Sequence, residues 1–228
     1  MNQESVLLGK GLKTPRAAAI AGIVFAGLSI AVELLIRSSI EASPLGAAQE
    51  VVNHSKTISR ALTLIPFAGI AFLWFVAVVR DRLGELEDRF FATVLLASGL
   101  LYVAMFFVSA ALAGGLLLVL GSGTENVIRS GAYAVGRAQI HQVMNIYAIK
   151  MAGVFMITVS TISLRTRIVA RWMSFLGYAL ASFLLLSLGT IEWIPIVFPL
   201  WVLMISLCIL IERFRDQSNA EQDSTLAV

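Results

Sequence analysis

Hydrophobic side chains dominate six long blocks of the chain, and polar side chains lie mostly between them. The blocks cover residues 17–36, 61–79, 90–120, 143–164, 172–188 and 193–211. A helix needs about 17 to 25 apolar residues to cross the hydrocarbon of a bilayer, and each block is near or above that length. The blocks are continuously apolar, whereas the strands of a transmembrane barrel alternate in character over about 10 residues. The pattern predicts an all-α, polytopic membrane bundle of six transmembrane helices over 17–215, with a cytoplasmic N-terminal segment over 1–16 and a flexible cytoplasmic tail over 216–228.

The positions of lysine and arginine predict the orientation, because cytoplasmic loops carry an excess of positive charge. With the N-terminus inside, the cytoplasmic segments hold Lys10, Lys13, Arg16, Arg80, Arg82, Arg89, Arg165, Arg167, Arg171, Arg213 and Arg215. The opposite side holds the smaller set Arg37, Lys56, Arg60, Arg129 and Arg137. We therefore expect both termini in the cytoplasm, and a bacterial cytoplasmic membrane as the location.

The connections on the outer side differ in length and character. The segments 44–60 and 124–142 contain few helix breakers, so we expect the second and fourth helices to extend beyond the outer surface. The third block is too long for an untilted span, and Gly114 and Gly115 near its end predict either tilt or a break there. Residues 189–192 predict a tight outer hairpin between the last two helices.

The composition agrees with this architecture and excludes several other classes. The 228 residues are 58% hydrophobic and 14% charged, and the mean hydropathy is +0.87, which is far more apolar than a soluble domain. A single cysteine, Cys208, excludes a disulfide framework. The net charge of +3 does not indicate nucleic acid binding, because the basic residues cluster at the edges of the apolar blocks.

Two charged residues lie within the blocks, where a charge is costly and is a candidate for function. Glu33 lies near the outer end of the first helix, and Lys150 lies deeper, in the fourth. We hypothesise an ion pair between them; the alternatives are a local pair of Glu33 with Arg37, four residues on, and a clamp that serves folding only. The candidate polar cavity combines these charges with two residues on the Lys150 stripe and one beside the prolines of the sixth helix: Glu33, Lys150, Tyr147, Thr161 and Glu192.

Three further polar residues lie on one face of the fourth helix, since Arg137, His141 and Asn145 are spaced by four. This outer polar face is interpreted as a site or as a solvated helix end. Two histidines, His54 and His141, are too few for a zinc motif of the HExxH type and form only a weak candidate pair for haem. We expect no metal, no cofactor and no catalytic set.

These features favour a protein that binds or passes a small solute or ion through an outward-opening polar cavity lined by the first, fourth and sixth helices. One alternative is a non-catalytic scaffold or accessory subunit of a larger membrane complex. An intramembrane enzyme or haem protein is a third. The expected partners are the lipid bilayer and either a second copy, through the small-residue face of the first helix, or another membrane protein.

Overall fold

Every element that the structure describes is a helix. The computed structural model describes residues 14–37, 47–83, 89–166, 171–187 and 193–226. In chain order the helices are α1 (Thr14–Arg37), α2 (Ala47–Asn53), α3 (Ser55–Leu83), α4 (Arg89–Arg129), α5 (Ala132–Gln142), α6 (Ile149–Thr166), α7 (Arg171–Leu186) and α8 (Ile194–Leu226). A six-residue π-helical turn, Val143–Ala148, joins α5 to α6 without a break.

Five stretches of the described helices are long and apolar enough to cross a membrane: Ala19–Ile36, Ser55–Arg80, Phe90–Arg129, Ala132–Arg165 and Ile194–Ile211. The fifth predicted span, residues 172–188, corresponds to the shorter apolar helix α7, of 16 residues. The structure confirms the all-helical fold and indicates a membrane protein.

A cluster of aromatic side chains holds the bundle together at its centre. Phe25 of α1 lies 4.7 Å from Phe72 of α3, measured between ring centroids, and Tyr102 of α4 lies 4.7 Å from Phe198 of α8. Phe155 of α6 completes the cluster at 5.2 Å from Phe72. All five side chains are buried. Aromatic rings at these separations add favourable edge contacts to their burial, so the cluster joins five helices into one core.

Small residues allow the helices around this core to approach closely. At Gly22 of α1, a Cβ atom would overlap the hydroxyl of Ser206 in α8 and would lie 2.9 Å from the ring of Phe75 in α3. At Gly153 of α6, a Cβ would lie 2.9 Å from Leu185 of α7. Small side chains at such points let helix backbones pack tightly where apolar lipid supplies no hydrophobic drive.

A second, smaller apolar cluster lies at the end of the bundle where α2 and α5 pack on α4, which we call the α2–α5 end. Its buried members are Val51, Ile58, Leu120, Val127 and Tyr133. The helices α3 and α5 both begin well before the apolar blocks predicted for them. The cluster therefore gives the polar segments at this end of the bundle a packed structure of their own.

The structure shows no break in α4 at Gly114 and Gly115, although a break there was one of the two predictions for this helix. The helix continues through Gly114 and Gly115, and its backbone departs from helical geometry only at Gly123. It ends at Arg129, and Gly131 then adopts a left-handed conformation with φ of 74° to begin α5. A left-handed conformation is accessible to glycine at little cost, so Gly131 makes the turn between the two helices.

At the C-terminal end of the chain, α8 remains helical as far as Leu226, through most of the segment predicted to be a flexible tail.

Candidate functional site

A cavity of about 340 Å³ lies at the α2–α5 end, among α1, α2, α3, α4, α5 and the start of α8. Its volume falls in the range of small-molecule sites, about 300 to 1,000 Å³. Most of its wall is apolar and includes Val32, Ile36, Val51, Ile58, Ile65, Phe106, Leu116, Ile140, Met144 and Pro195. The first, fourth and sixth predicted helices all contribute to this wall, together with α2, α3 and α4.

The polar side of the cavity is formed by one face of α5 and the π-helical turn. Arg137, His141 and Asn145 all line the cavity, as does Tyr133, one turn before them. Arg137 and His141 are exposed, Asn145 is half-buried and Tyr133 is buried. The three predicted residues of the outer polar face are thus together.

These four side chains have unused hydrogen-bonding capacity. Among the residues that the structure describes, none forms a hydrogen bond or an ion pair with the side chains of Tyr133, Arg137, His141 or Asn145. The guanidinium carries five N–H donors and the amide two, and the phenol adds an O–H donor. The cavity therefore combines a large apolar wall with a compact group of donors.

A π-helical turn lies between the α5 residues that line the cavity and Lys150 at the start of α6. A π turn has wider i→i+5 hydrogen bonding, so it rotates the residues that follow it relative to a continuous α-helix. Such turns are frequent at functional sites because they aim side chains that a regular helix would not. Here the turn begins at Val143, directly after the α5 residues that line the cavity, and it ends at Ala148.

Lys150 contacts the carboxyl end of α7. Its Nζ donates hydrogen bonds to the carbonyl oxygens of Leu184, Leu185 and Ser187, at 3.1, 2.5 and 2.6 Å. The last carbonyls of a helix have no partner within it, and the helix dipole makes that end negative. The ammonium group therefore stabilises the end of α7, and its three protons are directed there and not toward Glu33.

Glu33 lies instead on the cavity wall, beside the outer polar face. It is half-buried on α1, one turn before the wall residue Ile36. It is near enough to Tyr102, in the aromatic core, to interact with it electrostatically. Glu33 thus lines the same cavity as Arg137, His141 and Asn145, whereas Lys150 does not line it and contacts α7.

The remaining members of the predicted polar cavity lie elsewhere. Tyr147 has 58% of its surface exposed, which is more typical of the outside of the bundle. Thr161 donates to the carbonyl of Ile157 at 2.8 Å, so the 2.7 Å bond between its hydroxyl and that of Tyr178 is donated by the tyrosine. This contact joins α6 to α7. Glu192 lies outside the described residues.

Sequence reasoning missed two polar residues of the cavity, Tyr133 and Ser109. Tyr133 could have been found, because it extends the spacing of four that relates Arg137, His141 and Asn145. Ser109 lies in the apolar third block, and no spacing rule distinguishes it from the other small residues there.

The two histidines are not arranged as a pair of ligands. His54 lies at the junction of α2 and α3, where its Nδ1 is 3.1 Å from the carbonyl oxygen of Glu50. His141 lines the cavity, whereas His54 is not among the lining residues. Within the described parts of the chain, no group of three or more His, Cys, Asp or Glu side chains could hold a metal ion.

Comparison with other proteins adds no functional assignment. No protein family, curated protein or solved structure matches this chain. The cavity geometry and the chemistry of its residues therefore carry the functional argument.

Proposed function

We propose that this protein binds a small amphipathic solute in the cavity at the α2–α5 end, with the apolar body of the solute against the helix wall and an anionic head at Arg137. The observation that carries the proposal is the outer polar face, whose donors line a largely apolar cavity and engage no described residue. A charge-assisted hydrogen bond to a carboxylate or phosphate is about twice as strong as a neutral one, and arginine can make two of them to one anion.

The proposed topology keeps six spans, with α7 as the fifth, and both termini in the cytoplasm. The lysine and arginine distribution supports it, because the short connections on the N-terminal side carry the larger basic set. In this orientation the α2–α5 end lies outside the cell, and solute enters the cavity past the exposed side chains of Arg137 and His141.

The proposal is tested with a photoreactive probe of defined chemistry. The protein is reconstituted in vesicles with a decanoic acid analogue that carries a diazirine, irradiated, and the labelled residues are mapped by mass spectrometry. We expect labels on the wall, at residues such as Ile140 and Met144, and competition by unlabelled decanoate. Arg137→Gln should reduce labelling about tenfold, since the lost bond involves a charged donor.

A matched control variant is available on the same end of the molecule. Arg129 is exposed and forms an ion pair with Glu125 at 2.8 Å, away from the cavity lining. Arg129→Gln should therefore label like the wild type. Equal competition by decylamine, labels spread evenly over the membrane-facing surface, or full labelling of Arg137→Gln would each contradict the proposal.

A further inference from the structure

A groove of about 720 Å³ runs between α3 and α4 at the α2–α5 end, on the outside of the bundle. It shares Leu62 and Leu117 with the solute cavity, but none of the outer polar face lines it. Its polar residues lie on the first turns of α3, and its apolar residues lie mostly on α4. The two kinds of residue therefore face each other across the groove.

The polar wall carries two positive charges on one helix face. Lys56 and Arg60 are four residues apart and both are exposed. In the described part of the chain, no carboxylate forms an ion pair with either of them. The hydroxyls of Ser55 and Ser59 line the groove beside them with the same spacing. This set matches the negative charge and the acceptor oxygens of a phosphate group.

The apolar wall faces the side on which lipid would lie. Leu118 has 79% of its surface exposed, and Leu117 lies next to it in the groove. Gly114 opens the space between the helices, since a Cβ there would lie 3.9 Å from Leu62. Leucine side chains and an open backbone in this position suit the upper part of a lipid tail.

The exposed stripe of α3 places these charges at the depth of lipid headgroups. Lys56, Arg60, Thr63, Phe67 and Ile70 are spaced by three or four, and all are exposed. The stripe changes from charged to apolar between Thr63 and Phe67. Phe67, the first apolar residue of the stripe, has 62% of its surface exposed. At 1.5 Å per residue, Arg60 lies about 10 Å from Phe67 along the axis. The headgroup layer adds roughly 5 to 8 Å to each side of the hydrocarbon, so a long arginine side chain reaches its phosphates.

We propose that the groove between α3 and α4 binds an anionic phospholipid, with its phosphate held by Lys56, Arg60 and the Ser59 hydroxyl and its tails lying along Leu118 and Phe67. The occupant is a lipid and not free phosphate, because the cationic wall is continuous with an apolar stripe that a soluble anion does not cover. The site is separate from the proposed solute cavity and does not depend on it.

Native mass spectrometry of the full chain tests this proposal. The protein is equilibrated in vesicles of equal phosphatidylglycerol and phosphatidylcholine, released gently, and the bound lipids are counted. The enrichment is the ratio of bound phosphatidylglycerol to bound phosphatidylcholine, and we expect it to lie well above the ratio of one in the vesicle. Each of Lys56→Gln and Arg60→Gln should lower that enrichment about fivefold, in line with the usual effect of one basic residue at an anionic surface.

Controls separate the site from general charge and from free phosphate. Arg129→Gln removes an equal charge at the same end and should leave the enrichment unchanged. Inorganic phosphate at millimolar concentration should not displace the lipid. Equal retention of the two lipids by the wild type, an equal loss in Arg129→Gln, or displacement by inorganic phosphate would overturn the proposal. Arg137→Gln should retain the lipid, so failure here is distinguishable from failure of the solute cavity.

Discussion

At the scale of single residues, Lys150 shows how the cost of a charge within an apolar helix is met by backbone groups. Its ammonium group lies among three carbonyl oxygens at the end of α7. One of them, that of Leu184, also accepts a hydrogen bond from the hydroxyl of Ser187 at 2.9 Å. Without the lysine, these acceptors would have few donors inside an apolar environment, where an unsatisfied carbonyl is costly.

We therefore expect Lys150→Met to destabilise the protein. The free energy of unfolding should fall by about 2 kcal/mol, because the carbonyls lose a charged donor. The loss is partly offset, since the variant no longer buries a charge. Unfolding by sodium dodecyl sulfate in mixed micelles measures it. Lys56→Met, at an exposed lysine, is the control and should stay within about 0.5 kcal/mol of the wild type. Wild-type stability in Lys150→Met would show that the contacts at α7 contribute nothing.

The hydrogen bond between Thr161 and Tyr178 gives a second prediction at this scale. We expect Thr161→Val and Tyr178→Phe to be coupled by about 0.6 to 1.7 kcal/mol, the usual range for polar contacts between membrane helices. A double-mutant cycle in the same unfolding assay measures the coupling, and it cancels the bond that Thr161 also makes to its own helix. Strictly additive losses would mean that the two hydroxyls do not stabilise each other.

Sequence reasoning located the important polar residues but assigned some of them the wrong neighbours. The spacing of four placed Arg137, His141 and Asn145 on one face, and all three line the cavity although Asn145 already lies within the π turn. Lys150 was hypothesised to pair with a carboxylate because side-chain types are visible in a sequence. Its actual acceptors are main-chain carbonyls at the end of α7, and side-chain types do not show which residue will reach them.

At the scale of helices, close packing depends on particular glycines and not on the small-residue pattern as a whole. In α1, Gly22 contacts α3 and α8, whereas nothing lies within 4 Å of a Cβ built on Gly27. The two positions share one helix and one residue type. They therefore form a matched pair for testing the contact.

We expect Gly22→Ala to cost about 1 to 3 kcal/mol, because the added methyl would overlap Ser206 and crowd Phe75. Gly27→Ala should be neutral or slightly stabilising, since alanine favours the helix and the space is open. Combining Gly22→Ala with Ser206→Ala should recover part of the loss. Equal effects of the two glycine substitutions in the unfolding assay would contradict close packing at Gly22.

Helix existence was largely predictable, and helix ends were not. Long apolar blocks predicted each of the membrane-length stretches because lipid requires continuous apolar side chains over that distance. Gly123 interrupts the helical geometry of α4, and Gly131 precedes the first residue of α5. Other glycines, such as Gly115, lie within regular helix. The residue type alone does not distinguish the glycines that interrupt a helix from those within one.

At the scale of the whole molecule, the proposed orientation places the α2–α5 end outside the cell. We expect a cysteine at Ser130, in the exposed turn between α4 and α5, to react in intact cells with a maleimide that cannot cross the membrane. A cysteine at position 87, in the connection before α4, should react only after lysis. Cys208→Ser provides the background without other thiols. The reverse pattern of labelling would invert the topology and place the solute cavity on the cytoplasmic side.

The unequal lengths of neighbouring helices have a consequence for the membrane around the protein. The 16 residues of α7 span about 24 Å, less than the roughly 30 Å of a typical hydrocarbon layer. Leu186 at its end has 80% of its surface exposed, so this short flank meets the surrounding membrane directly. In the proposed six-span topology, the bilayer thins locally on that flank while it keeps its full thickness beside α4. This uneven bilayer thickness favours residence in thinner membranes, and it favours association with proteins that deform the bilayer in the same way.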